Sequence, residues 1–195
     1  VEREVRGFGM VEQWDTEHYD AFQEAGLFEI KGNNWSAQSH IPPIHTKTWF
    51  HNGFYRQGGK ITRQYESEYY GGRDAAGSFT EWTLDDTILP EGLTGDDARE
   101  AARSLKGRAL RVEVFAEDGN PHPYTVTESN YQIRVLQNKG GNRHTVFFTA
   151  ENETLTFQYE RNPNDPRVAH ALVLSIDDFG NPTENLTTVY PRRTP

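Results

Sequence analysis

From Arg108 onward, polar and apolar residues alternate. ALRVEV sets Leu110, Val112 and Val114 on one side and Arg111 and Glu113 on the other, and YQIRV sets Tyr131, Ile133 and Val135 opposite Gln132 and Arg134. A period of two is that of a β-strand with two unlike faces. The same reading predicts strands over Thr145–Thr149, over Thr154–Tyr159 with Leu155, Phe157 and Tyr159 together, and over Ala169–Ile176 with Leu172, Leu174 and Ile176 aligned. The segments between, EDGNPHP, NKGGN, ENE and NPNDP, consist of residues that preset a turn, tolerate positive φ or bond their own backbone. Residues 108–190 therefore predict an antiparallel meander.

One helix precedes it. In LTGDDAREAARSLKG, Thr94 or Asp96 can cap, acidic Asp96, Asp97 and Glu100 lie near the positive end, Arg103 and Lys106 near the negative end, and Gly107 stops it. The expected span is about 96–106. Residues 1–90 are less regular. EVRGFGMVEQWD reads as a strand pair around a glycine turn, HTKTWFHNGFY and KITRQYESEYY as two strands joined by RQGG, and GGRDAAGS as a mobile loop. RGFGMV and DDFGNP share the form x-x-Phe-Gly-x-x and predict similar hairpins at the two ends. The fold class expected is mainly β, an antiparallel meander, sheet strip or sandwich with one short helix, as a single module over 1–195. A start at VEREVRGFG without methionine reads as a piece of a longer protein.

Composition narrows the function classes. Aromatic residues make up 12% of the chain against 34% hydrophobic in total, so a few large side chains must carry the core. The net charge of −9 opposes binding to phosphate backbones, so no nucleic-acid partner is expected. Without cysteine there is neither a disulfide framework nor a thiolate metal site. No apolar run approaches the roughly 20 residues of a spanning helix, and no membrane insertion is expected.

Candidate chemistry is sparse. His45 and His51 lie in PPIHTKTWFHNG, with His40 five residues before His45, but His45 and His51 on one strand stand about 20 Å apart at ~3.3 Å per residue, too far for a shared ion. The better reading of this stretch is a strand set by Pro42 and Pro43, packed through Trp49, Phe50 and Phe54 and freed to bend at Gly53. The pairs Glu66/Glu68 and Glu151/Glu153 would serve acid–base chemistry if they converged. The first, however, reads as an exposed strand and the second as a turn. Asp85–Asp86, Asp96–Asp97 and Asp177–Asp178 lack the spacing of a calcium loop. No catalytic, cofactor-binding or metal-binding residue is assigned, and no enzyme is indicated. A rival reading, an extracellular carbohydrate- or surface-binding module, would use Trp14, Trp35 or Trp82 as stacking platforms.

Longer motifs carry a resemblance. RGFGMVEQWDTE, PPIHTKTWFHNGFY, LPEGLTGDDAREAARSLKGRALRVEVFAEDG, PYTVTESNYQIRVLQ, GGNRHTVFFT and ETLTFQYERNPNDPRVAH resemble, in order, the middle region of the B component of insecticidal toxin complexes, which is related to SpvB-type virulence proteins. SIDDFGNPT resembles a degenerate YD (Rhs-type) repeat, with Ile176 in the tyrosine position, followed by Asp177, Gly180 and Asn181. The resemblance implies a secreted, noncatalytic structural module that adds β-sheet to a hollow shell enclosing a cytotoxic polypeptide. It implies as partners the rest of the B chain and the C component, with the A component contacted by other regions. It transfers no catalytic residue.

Overall fold

The computed structural model describes residues 5–15, 41–55, 59–71 and 83–192. Seven strands form a single antiparallel sheet in chain order: β1 (Met10–Trp14), β2 (Ile44–Phe50), β3 (Ala109–Ala116), β4 (Thr125–Gln137), β5 (Val146–Gln158), β6 (Arg167–Ile176) and β7 (Pro182–Val189). This is the expected meander, realised as an open strip. One helix, α1 (Gly95–Ser104), lies between β2 and β3 in sequence. Thr94 caps it by accepting from the Asp97 N–H at 3.2 Å, and Ala98, Ala101, Ala102 and Leu105 form its buried side. It starts one residue before the predicted span and ends two before it, with Leu105 as C-cap.

The register explains which residues make the core. Trp49, Arg111, Glu128, Leu155 and His170 oppose one another from β2 to β6, and Lys47, Glu113, Val126, Phe157 and Val168 form the neighbouring row. Partners in register share a face. Against it pack α1 and the segments 61–71 and 83–93. Leu84 joins Val126, Leu155, Phe157, Tyr159 and Val168, while Ile61, Ala101 and Leu105 join Tyr131 and Ile133. Trp49, Tyr69 and Leu110 make a third cluster.

Several sequence expectations change. The alternation in ALRVEV is real, but the side that packs is the one bearing Arg111 and Glu113, which are buried while Val112 and Val114 are half-exposed. Periodicity marks two faces and not which one is covered. ENE is no turn: β5 runs through it, with Asn152 bulged out as the extra residue opposite Asn130 and Tyr131 of β4. KITRQYESEYY is no strand but a series of turns with a short 3-10 segment at Glu66–Glu68. EVRGFGMVEQWD forms one strand, β1, preceded by irregular chain, so the two Phe-Gly segments are not alike. Only the second makes a hairpin turn, between β6 and β7. GGRDAAGS lies almost wholly outside the described residues.

The double-proline stretch behaves as expected at its start and at its bend. β2 begins right after Pro43, itself fully buried, and Gly53 adopts φ +71° where a Cβ would come 3.1 Å from the Arg103 Cα. Phe54, in contrast, is half-exposed. Trp49 is 1% exposed, meets Tyr69 edge-to-face at 5.1 Å and donates from Nε1 to Glu68 at 2.9 Å. Trp49→Ala removes this ring and strands the Glu68 acceptor. It is expected to cost about 3–5 kcal/mol, read as a lower urea midpoint at unchanged slope; a loss under about 1 kcal/mol contradicts the packing described.

Candidate functional site

The highest concentration of ionisable groups inside the protein is built on β3 and β4. Arg111 and Glu113 are two apart on β3, and Glu128 opposes Arg111 on β4, so the strand period aims all three at the covered face. Arg111 donates from Nε to Glu113 at 2.7 Å, from Nη1 to Glu128 at 3.0 Å and from Nη2 to the Tyr70 carbonyl at 2.7 Å. The Tyr69 ring lies 4.8 Å from the guanidinium carbon. The carboxylates in turn accept from backbone: Glu113 from the Tyr70 N–H at 2.8 Å and Glu128 from the Leu84 N–H at 3.2 Å. All three side chains are nearly sealed from solvent. The cluster thus clamps two separate points of the covering segment, Tyr70 and Leu84, to the sheet. Burial raises the Tyr69 phenol strongly, which keeps it neutral beside the cluster.

The predicted candidates are found in separate places, each engaged in holding structure. His45, on β2, stacks on Trp14 at 4.3 Å and lies between Glu12 and Glu117 at 3.2 and 3.3 Å. His51 follows β2 and is 1% exposed, with its ring 5.6 Å from Tyr131 and no hydrogen-bond partner for Nε2. Burial lowers its pKa to about 4, against the opposing pull of Asp86. His40, Trp35 and Trp82 lie outside the described residues.

Glu66 pairs with Arg63 at 3.2 Å and Glu68 takes the Trp49 donor. Glu151 accepts from Ser129 and Thr154, and Glu153 meets His170 at 2.9 Å. The aspartate doublets are local ties as well. Asp86 accepts from the N–H groups of Ile61, Thr62 and Thr87, and Asp97 from Thr94 and Thr145. Asp177 takes three bonds from Phe179 and Asn181, which depress its carboxyl. Among the described residues no group of three or more His, Cys, Asp or Glu could hold a metal ion. A cleft of about 480 Å³ between α1 and the start of β5 contains Glu100, but this carboxylate already accepts from His144 at 2.8 Å and the Thr145 N–H at 3.0 Å. No helix among the described residues is long and apolar enough to cross a membrane.

Sequence reasoning missed the Arg111–Glu113–Glu128 cluster. The signal available was an Arg-x-Glu pair at strand spacing followed by a glutamate on the next strand, which an exposed face would also show.

An open antiparallel sheet whose ionisable groups are used to bind its own covering layer defines a β-scaffold module. The particular scaffold emerges from comparison. Residues 100–195 match the family described as "Insecticide toxin TcdB middle/C-terminal region". The chain aligns over 99% of its length with two structures, "Crystal Structure of TcdB2-TccC3 without hypervariable C-terminal region" and "Crystal Structure of TcdB2-TccC3", each at 30% identity and TM-score 0.74. It also aligns over 99% of its length with "Structure of Photorhabdus luminescens Tc holotoxin pore, Mutation TccC3-D651A", at 29% identity and TM-score 0.70. The chain spans only 8–9% of the length of these proteins. No curated protein matched. The chain is thus a segment of the toxin-complex B-component type, from its middle region.

Two outcomes test this site. Arg111→Met leaves Glu113 and Glu128 buried without their cation and is expected to destabilise by about 3–5 kcal/mol in a urea titration, while Arg111→Met with Glu113→Leu and Glu128→Leu recovers only part of the loss, because the Tyr70 and Leu84 backbone groups then lack their partners. For His51, the unfolded state binds a proton at higher pH than the folded state does. Its neutral burial therefore contributes fully above about pH 6.5, and stability falls as pH drops from there toward about 4, by roughly 3 kcal/mol in total. The depressed carboxylates of Asp97, Glu100, Asp118 and Asp177 add losses only lower, as pH falls below the ordinary carboxylate range. His51→Phe should abolish the loss between pH 6.5 and 4.5 when unfolding free energy is measured across that window.

Proposed function

We propose that this chain is a noncatalytic structural module, a single β-rich unit of a longer toxin-complex B component, which adds its sheet to a hollow shell enclosing a cytotoxic polypeptide for delivery. The observation that carries the reading is the outer edge of β7. Among the described residues no strand pairs with it, and all but one of its residues are exposed. An edge meant to remain bare is usually protected by lysine, an inward charge or a bulge turning it away. PTENLTTV has a proline at its first position, one glutamate and irregular pairing with β6 near its start, while Asn185 to Val189 pairs regularly and has no such protection. Such an edge suits continuation of the sheet by a neighbouring strand.

The relatives support the same reading. Their structures are described as complexes of TcdB2 with TccC3 and as a holotoxin pore, which favours the C component as partner, with the A component reached through other regions. Others are described as TcdB2-TccC3-Cdc42 and TcdB2-TccC3-TEV. Secretion and a virulence role are part of the same proposal. The Asp177-centred turn supports a degenerate YD (Rhs-type) repeat. The carbohydrate-binding alternative is not favoured: Trp14 is half-exposed, but one ring face is stacked on His45 and its Nε1 donates to Glu117 at 3.2 Å.

The edge gives the test. The Tyr190 N–H donates to the Val168 carbonyl, so by alternation the N–H of Thr187 points away from β6. Thr187→Pro in the full-length B component removes one outward donor while sparing the β6–β7 ladder. Thermal stability of the sheet is expected to change little and assembly with the C component, followed by size-exclusion chromatography, to fail. Normal assembly would refute continuation of the sheet at β7.

A further inference from the structure

The stripe of α1 that carries its charges looks onto the turn between β4 and β5. Asp96, Arg99, Glu100 and Arg103 recur at the i, i+3, i+4 and i+7 spacing of one helical face. Opposite them the turn KGGNRH is closed by the Asn142 N–H on the Lys139 carbonyl at 2.7 Å, with Lys139 and Arg143 near its two ends. Three bonds clamp the turn to the helix: Glu100 accepts from His144 and from the Thr145 N–H, and Asp97 accepts from the Thr145 hydroxyl at 3.1 Å. The space left between these walls has two linked parts, which share Glu100, Arg103 and His144. One, of about 480 Å³, opens on Val146 and Phe147; the other, of about 320 Å³, is edged by Arg99, Lys139 and Arg143.

The two parts differ in chemistry. The polar part has four arginines and lysines against two acids along its lining, in a chain where 29 acids outnumber 20 bases. Its acids are already engaged, Asp96 by Arg99 at 2.9 Å and Glu100 by His144 and Thr145. The bonds from Thr94 and from His144 chiefly hold the carboxyls of Asp97 and Glu100 below the ordinary range, and the charge of Lys139 adds to this. Lys139 and Arg143 are exposed, and their side chains make no hydrogen bond or ion pair among the described residues. The surplus charge in the cleft is therefore positive. The other part is apolar, with Val146 45% exposed and Phe147 half-buried. A cationic rim beside an open apolar floor fits neither bulk water nor a small anion alone.

We infer that this cleft is the docking site of an acidic segment of the same B component lying outside residues 1–195. A carboxylate of that segment enters between Arg99, Lys139 and Arg143, and an adjacent apolar side chain rests on Val146 and Phe147. The net charge of −9 repels such a segment from the rest of the surface, so charge selects this place. Ion pairs at an open rim contribute little by themselves, and the apolar floor supplies the remaining hold. The source follows from length: the chain spans only 8–9% of its relatives, and a segment tethered in the same polypeptide is present at high effective concentration. Because the walls are already clamped together, docking orders little further chain. The inference rests on membership in a longer B component and not on the shell.

The test is carbodiimide coupling in the full-length B component, alone and with the C component, followed by peptide mass spectrometry. The reagent activates a carboxylate as an O-acylisourea; the Lys139 Nζ attacks its acyl carbon, an amide forms and a substituted urea leaves, so coupling reports direct contact. Lys139 is expected to couple to one recurrent Asp or Glu of the B chain outside residues 1–195, in the B component alone. The yield should fall about tenfold in Arg99→Glu with Arg143→Glu, and similarly for the unaltered protein in about 1 M NaCl. Val146→Ser, which changes no charge, should lower it about threefold. Coupling of Lys139 only to acids of its own module, or only to the C component, would overturn the inference. So would a yield indifferent to salt and to both sets of substitutions. Assembly with the C component, measured on the same preparations by size-exclusion chromatography, reports on the shell reading separately.

Discussion

The architecture depends on one buried cation. Arg111 lies between two carboxylates in a region closed to water, where an uncompensated charge would be far too costly to retain. Its guanidinium spends Nε on one carboxylate, Nη1 on the other and Nη2 on a backbone carbonyl. Glu113 and Glu128 then use remaining acceptor capacity on the backbone of Tyr70 and Leu84. A layer of turns without regular secondary structure would otherwise leave its own polar backbone groups unsatisfied against an apolar sheet. The ions settle that problem and fix the place of the layer at the same time. Hydrophobic clusters flank this point on both sides, with Trp49 and Tyr69 next to the guanidinium and Leu84 next to Glu128.

Other acidic residues are engaged in a similar way. Glu68, Asp86, Asp97, Glu100 and Asp177 all accept hydrogen bonds from neighbouring chain, most of them from main-chain N–H groups at turns or from the next element. For Asp97, Glu100 and Asp177 these bonds hold the carboxyl below its ordinary range, as an anion. His51 is the inverse case, a base kept neutral by burial. Its conformation is fixed from both sides by backbone bonds to Arg108 and Gly107, where β2 leaves the sheet to meet the end of α1.

The sheet has two faces of different chemistry. The covered face contains the ions, the aromatic rings and the large aliphatic residues, and specifies the position of everything packed on it. The uncovered face has small side chains along its central row, from Thr48 through Val112, Thr127 and Thr156 to Ala169, and beyond the β5 bulge Arg134 lies over the Phe148 ring. Bulges at Leu110 on β3, opposite Trp49 and Phe50, and at Asn152 on β5, opposite Asn130 and Tyr131, shift the register without interrupting the strip. Open strands at its margin allow such a strip to be one part of a larger sheet, in keeping with relatives more than ten times its length.

Most of the strands and the helix could be read directly from the chain, because they depend on local signals. Period-two alternation marks β3 through β6, glycine- and asparagine-rich turns separate most of them, and Thr94 with its trailing acids marks the start of α1. The specific motifs also sufficed to indicate the family. What the chain alone left open was the side of the sheet that is covered, since alternation is symmetric and Arg111 and Glu113 have the look of solvent residues until Glu128 is brought across from the next strand. Likewise YESEYY carries strand-like aromatics, yet forms turns, because Glu68 and the Tyr70 backbone have partners on β2 and β3 that lie 19 and 43 positions away in sequence. Local periodicity determined the strips; only long-range pairing of charge decided which way they face.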